Sequence, residues 1–380
     1  MYLKLKNIFT YILVLSGIFA LLFSPIEAAN AAKDGILLCM NIIIPSLFPF
    51  LVFSNVAISC GLADQLGKYF ESIMKPIFNV NGSSSIAFIL GILSGYPVGA
   101  KTAIELYHNH YCSKTEAERL LAFCNNSGPA FIISAIGVGI WGRIDVGIIL
   151  YIAQIISSVI IGVVFGRLWN GTDKKMNAKK IKPKSVGLIT SLVNSVKAST
   201  VSVAFICAFV VFFAVVIRLL FSFRFIPSIA DFLSNAVNFL DEKSFEQILA
   251  GFFEITTGIK YTALSLTPKN LSITAFILGW SGLSVHCQVL IFLNNSGLSK
   301  KPYFLGKITQ AILSGIITYI LVFLFPFHIS TINITKYTFL INNSPNFSTY
   351  FTLTLCFLLF AVIIYLMMLF ISCRKGKNRL

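Results

Sequence analysis

The sequence predicts an all-α polytopic membrane protein with about eight to ten membrane segments, some of them broken or re-entrant, built as two similar halves. Three observations carry this. First, of 380 residues 56% are apolar and 12% are charged, with a mean hydropathy of +0.84. Soluble domains carry about 25% charged residues, so this surface suits lipid. Second, the apolar residues gather in runs close to the roughly 20 residues that a crossing helix needs. Third, several runs are interrupted by Pro, Gly and polar clusters that a straight crossing does not require.

In chain order, residues 1–34 hold a run from Ile8 to Phe23 after Lys4 and Lys6. It reads as a membrane helix or as a signal-like segment, because Ala29-Asn30-Ala31 offers a small-residue cleavage pattern. Residues 35–173 form the first half. Gly35–Ser59 contains Asn41, Pro45 and Pro49, so a kinked, broken or re-entrant segment is expected. Leu66–Phe78 is short and amphipathic and reads as interfacial. The run Ser85–Ala103 includes SGYPVGAK, and CNNSGPAF opens the run Cys124–Trp141. Ile144–Leu168 is a clean crossing. Residues 174–184, KKMNAKKIKPK, are a basic loop placed in the cytoplasm by the positive-inside rule. Residues 185–330 form the second half, with runs at 201–223, 245–264, 273–293 and 304–325. Residues 331–380 hold a last membrane helix, 351–372, and the basic tail RKGKNR.

The net charge of +16 comes from 30 Lys and Arg against 14 Asp and Glu. The basic residues sit in short loops and at the ends, which fits cytoplasmic loops and excludes a nucleic-acid partner. None of the eight cysteines forms a CxxC pair, so they read as small buried hydrophobes. His108, His110 and Cys112 lack a fourth ligand, so no metal is expected. No cofactor is expected either. There is no P-loop and no nucleophile–base set, which argues against an ATPase or another membrane enzyme.

Polar breaks recur in the two halves. SGYPVGAK and CNNSGPAF in the first correspond to FFEITTGIK and GWSGLSVHCQV in the second. Gly99 with Lys101 matches Gly258 with Lys260, and Ser127-Gly128 matches Ser281-Gly282. Paired, Gly/Pro-interrupted apolar segments are a sequence pointer to a transporter's midplane site. Whether the repeat is inverted or parallel stays open at this stage. Breaks are expected around Pro97, Gly128, Gly258 and Gly282.

The candidate binding residues follow from these motifs. Ser94, Gly95, Tyr96 and Pro97 form the first break, where small residues let backbone approach a solute; close helix packing is the alternative. Asn125, Asn126, Ser127 and Gly128 form the second, with Asn126 or Ser127 expected as a helix cap. Thr256, Thr257, Ser281, Gly282, Ser284, His286 and Gln288 are the second-half set. Lys101 and Lys260 are candidate counter-charges to an anion, or else snorkel to the headgroups. Glu254, and in the first half Glu105, are candidates to carry a coupling ion or proton.

These motifs, together with IPSLFPF, resemble the sporulation integral membrane protein YlbJ (SpoVV) family, within the nucleoside-recognition (gate) domain group. That resemblance spans about Gly35 to Phe325. It implies distant similarity to concentrative nucleoside transporters and a place in a bacterial cell membrane, the outer forespore membrane. It also implies transport of dipicolinate during sporulation. The expected partners are a small anionic solute and the lipid bilayer, with a homo-oligomer or sporulation membrane partners left open. A nucleoside-like or other small polar solute, or a non-transporting assembly factor, are the alternatives.

Overall fold

A computed structural model describes residues 2–59, 70, 73–169, 187–237, 239–294 and 296–324. These belong to one compact unit, Met1–Phe327. The basic loop 174–184, the tail, the last apolar run and residues 66–69, 71 and 72 of the expected interfacial segment lie outside the described residues.

Among the described residues the chain is helical throughout. We label the helices α1 (Tyr2–Phe23), α2 (Pro25–Leu38), α3 (Ile44–Ser59), α4 (Ser85–Ser94), α5 (Val98–His108), α6 (Lys114–Phe123), α7 (Ile144–Leu168), α8 (Leu188–Ser222), α9 (Phe225–Ala236), α10 (Glu242–Phe253), α11 (Ile255–Thr262), α12 (Pro268–Trp280), α13 (Gly282–Asn294) and α14 (Lys301–Leu324). Two π-helical stretches, Cys39–Ile43 and Ala130–Ile140, join α2 to α3 and precede α7. Among the described residues, five helical spans are long and apolar enough to cross a membrane: Pro25–Val56, Ile144–Leu168, Leu188–Ser222, Pro268–Asn294 and Lys301–Leu324.

Local chemistry sets the boundaries. Pro45 cannot donate a backbone hydrogen bond, so the ladder upstream widens into the π turn, where the Ile44 amide reaches back to the Cys39 carbonyl. Ser113 and Glu116 form a reciprocal capping box that starts α6. The Thr267 hydroxyl caps α12, with Pro268 in its first turn. Helix α8 begins at Leu188, earlier than the apolar run from Val201. Ser191, Ser195 and Ser199 recur every fourth residue and are buried there, and Asn55 of α3 donates to the Ser199 hydroxyl at 3.0 Å.

Two helix pairs are hairpins. A Cβ on Gly99 would lie 2.8 Å from the Gly91 Cα, and one on Gly258 would lie 2.3 Å from the Gly251 Cα. Each pair sits three or four residues to either side of its turn, so α4 doubles back as α5 and α10 as α11. The arms run from 8 to 12 residues. At 1.5 Å per residue they reach about 12–18 Å, half of a roughly 30 Å hydrocarbon core. Such hairpins enter a membrane without crossing it. Helices α6 and α12 are followed by breaks instead, at residues 124–128 and at Ser281.

Close crossings knit the halves together. Helix α14 meets α6 where a Cβ on Gly306 would lie 2.2 Å from the Ala122 carbonyl oxygen, and meets α12 at Gly279 against Ala311. Met74 and Phe78, in the short helix after the undescribed residues, are buried in the same core cluster as Phe123 and Leu278.

A side chain at Gly99 has no space, because its Cβ would fall 2.0 Å from the Cys124 carbonyl oxygen. We expect Gly99→Val to lose more than about 3 kcal/mol, seen as a collapse of folded yield in detergent. Gly17→Val meets nothing within 4 Å and should leave yield and melting temperature unchanged.

Candidate functional site

Interrupting a helix frees backbone amides and carbonyls, and inside a membrane each must find a partner in the protein. The first hairpin turns at Gly95 (φ 78°) and a cis Tyr96–Pro97 peptide, and the Val98 amide bonds the Gly95 carbonyl at 3.0 Å. The second turns at Glu254. Its carboxylate accepts the Thr256 amide (3.0 Å), the Thr256 hydroxyl (3.0 Å) and the Thr257 amide (2.6 Å). That is charge-assisted N-capping, with the negative charge on the positive end of α11. The break therefore lies at Glu254 and not, as the glycine pattern suggested, at Gly258, which instead packs inside the hairpin.

The interrupted helices satisfy their ends in the same way. The terminal carbonyl of α6, on Phe123, accepts the Ser158 hydroxyl (2.7 Å) and the Asn126 amide (2.8 Å). Neither Asn126 nor Ser127 caps the following π-helix with its side chain. Asn126 folds back instead, donating also to Ser158 at 3.1 Å and accepting from Gln310 at 2.6 Å. At the other break Ser281 adopts a left-handed conformation, followed by Gly282, also at positive φ. Near the end of α12 the Leu278 carbonyl accepts the Tyr96 hydroxyl at 2.8 Å.

All four breaks meet. A Cβ on Gly95 would lie 2.7 Å from the Gly128 amide nitrogen, joining the first-half pair. One on Gly282 would lie 3.2–3.3 Å from Ile255, Glu254 and Phe253, joining the second-half pair. Tyr96 then bridges the halves, donating to Leu278 and accepting from the Ser281 hydroxyl at 2.8 Å.

Around this junction lies a buried polar cluster. Asn125, Asn126, Ser127, Ser281, Ser284, Glu254, Thr256 and His286 are all buried, and Ser94 shares a 3.0 Å hydrogen bond with Ser54. His286 Nδ1 pairs with the Tyr303 hydroxyl at 2.8 Å. Asn125 approaches Tyr303, Ser127 approaches Tyr96 and His286 approaches the Trp280 backbone, yet the Asn125 amide, the Ser127 hydroxyl and His286 Nε2 form no directed hydrogen bond. Thr257 is half-buried at the hairpin tip, and Gln288 is half-buried on α13. Gln288 stands two positions from His286, so the two do not share a helix face.

The candidate ions part company. Lys101 and Glu105 are half-exposed and pair with each other at 3.7 Å, and Lys260 is exposed. Their matching positions suggested counter-charges, but their exposure puts them outside the buried cluster. The buried lysine beside this cluster is Lys307 on α14, which the sequence motifs did not single out. It is fully buried; its Nζ donates to Gln310 Oε1 at 2.8 Å and lies 5.2 Å from the Tyr96 ring centroid. Its sequence signal is a lysine and a glutamine inside the apolar run 304–325. A fully buried lysine is costly unless a partner satisfies it, so packing alone gives no reason for it. Among the described residues no group of three His, Cys, Asp or Glu side chains is placed to hold a metal.

Removing the Tyr96 hydroxyl strands the Leu278 carbonyl and loosens Ser281. We expect Tyr96→Phe to destabilise the full-length protein by about 1–3 kcal/mol, read as a lower melting temperature in detergent. An unchanged melting temperature would show that the bridge between the halves carries no weight.

Comparison with known proteins agrees with this architecture. Residues 41–168 match the family model described as Gate, nucleoside recognition. The chain is 28% identical to the sporulation integral membrane protein YlbJ of Bacillus subtilis (strain 168), across 93% of this chain and 94% of that one. The structure of CNTnw in an inward-facing substrate-bound state superimposes with a TM-score of 0.52 at 12% identity, covering 85% of this chain and 84% of that one. At that identity the likeness speaks for the fold. The second hairpin and second interrupted helix, at 242–294, lie beyond the matched Gate residues and repeat their arrangement. The chain is thus an integral membrane protein with a Gate domain and a transporter-like fold, related along nearly its whole length to YlbJ.

Proposed function

We propose that the chain is a membrane transporter of a small organic anion, held where the four helix breaks meet. The supporting observation is the convergence itself: two hairpin tips and two interrupted helices, one pair from each half, with Tyr96 hydrogen-bonded across the seam. Backbone breaks at membrane depth are tolerated where they line a solute pathway. Tyr96 ties the two halves together at this junction through Leu278 and Ser281.

Within this reading the solute is dipicolinate, a ring nitrogen flanked by two carboxylates, and the setting is the outer forespore membrane during sporulation. The relation to a sporulation integral membrane protein supports the sporulation setting, and the solute and the membrane are what the family resemblance implies. Glu254 is the coupling group. Its carboxylate holds the first turn of α11, so a proton arriving there weakens the cap and loosens the hairpin tip. A nucleoside-like solute is the second reading, favoured by the Gate match.

The test is uptake into vesicles containing the purified full chain, with labelled pyridine-2,6-dicarboxylate and, in parallel, uridine. We expect dicarboxylate uptake, cut at least tenfold by Glu254→Gln and by Asn126→Ala at equal protein levels. Uridine uptake without dicarboxylate uptake would replace the solute. No flux of either, with folded protein in the vesicles, would sink the transporter reading.

A further inference from the structure

We propose that Lys307 is the carboxylate-binding residue of the junction, its ammonium held ready by Gln310 and the face of Tyr96 for an incoming anion. The inference rests on the transporter reading above and names the group that recognises the solute's charge.

Lys307 is placed deliberately by the backbone. Gly306 lets α14 press on the end of α6, within 2.2 Å of the Ala122 carbonyl for a hypothetical Cβ. The next residue is thereby set against the second break at Cys124, beside the first-hairpin tip. An ammonium has three donors. One goes to Gln310 Oε1 at 2.8 Å, and the Tyr96 ring face lies 5.2 Å away. The ionisable groups facing Lys307 are Cys124, Tyr96 and His286. None is a carboxylate, and none of the ion pairs among the described residues includes Lys307.

The neighbours are under-bonded as well. Both polar atoms of the Asn125 amide, the Ser127 hydroxyl and His286 Nε2 are buried without a directed hydrogen bond. Spare donors around an uncompensated cation suit a carboxylate, which accepts up to about four hydrogen bonds and brings the missing charge. The one buried carboxylate in the cluster, Glu254, is committed to Thr256 and Thr257 on the other hairpin.

Gln310 also links the cation to the second break. It accepts from Lys307 and donates to Asn126 at 2.6 Å, which in turn holds the end of α6 with Ser158. A bound carboxylate therefore pulls on a chain that ends at the interrupted helix, and binding is coupled to the junction's geometry.

The experiment measures binding, independent of flux, to the full-length protein in detergent. The probes are acetate, succinate, benzoate and pyridine-2,6-dicarboxylate, each paired with its neutral amide. We expect at least one carboxylate to raise the melting temperature while its amide does not. Lys307→Met should weaken that binding at least tenfold while keeping a melting temperature near wild type, since an apolar side chain of similar length fills the space. Lys307→Arg should retain part of it. Gln310→Glu supplies an internal counter-ion, so it should weaken the same binding as strongly while the protein stays folded. A purely structural lysine would leave affinity unmoved in both Lys307→Met and Gln310→Glu, and that result overturns the proposal. So does the absence of any carboxylate-selective binding to wild type. Carboxylate binding that depends on Lys307 without uptake in vesicles would instead keep this site and reject the transport reading.

Discussion

A peptide group that leaves a helix inside a membrane has no water to turn to, and this constraint organises the molecule. Three of the four interruptions are answered by a side chain: Glu254 for the amides of Thr256 and Thr257, Ser158 and Asn126 for the Phe123 carbonyl, Tyr96 for the Leu278 carbonyl. Those residues are polar because the backbone beside them is broken. Once polar groups are gathered there, the place has the chemistry that the proposed polar solute needs.

Close glycine packing is the second requirement. Hairpin arms too short to cross must pack against each other and against a neighbouring break, and only Gly at 91, 99, 251 and 258 admits that approach. The arrangement occurs once in each half, with Gly128 against Ser94 and Gly95, and Gly282 against Glu254 and Ile255. The two halves meet through α14 packed on α6 at Gly306 and Ala122, and through polar bonds that include Tyr96 to Leu278 and Gln310 to Asn126.

Much of this was legible in the amino-acid sequence. Glycine, proline and polar clusters inside apolar runs pointed to Pro97, Gly128 and Gly282, and Ile144–Leu168 stands where its hydropathy placed it. The break at Glu254 was misplaced by four residues, because the eye follows glycine while the determinant is a carboxylate that caps the next helix. The long π stretch Ala130–Ile140 has no periodic signature in so uniformly apolar a segment. Lys101 and Lys260 drew attention through their matching positions, yet matching sequence does not set which way a helix faces. Lys307 was passed over because its meaning is tertiary: its ring partner Tyr96 and the break at Cys124 are remote in sequence.

The central claim is that a solute sits among the four breaks. Electron cryomicroscopy of the full chain saturated with pyridine-2,6-dicarboxylate tests it most directly. The account predicts ligand density bounded by Tyr96, Ser127, Glu254 and Ser281, with a carboxylate oxygen within about 3 Å of Lys307 Nζ. Ordered ligand elsewhere on the protein, with the Tyr96 bridge intact and the junction unchanged, would contradict it.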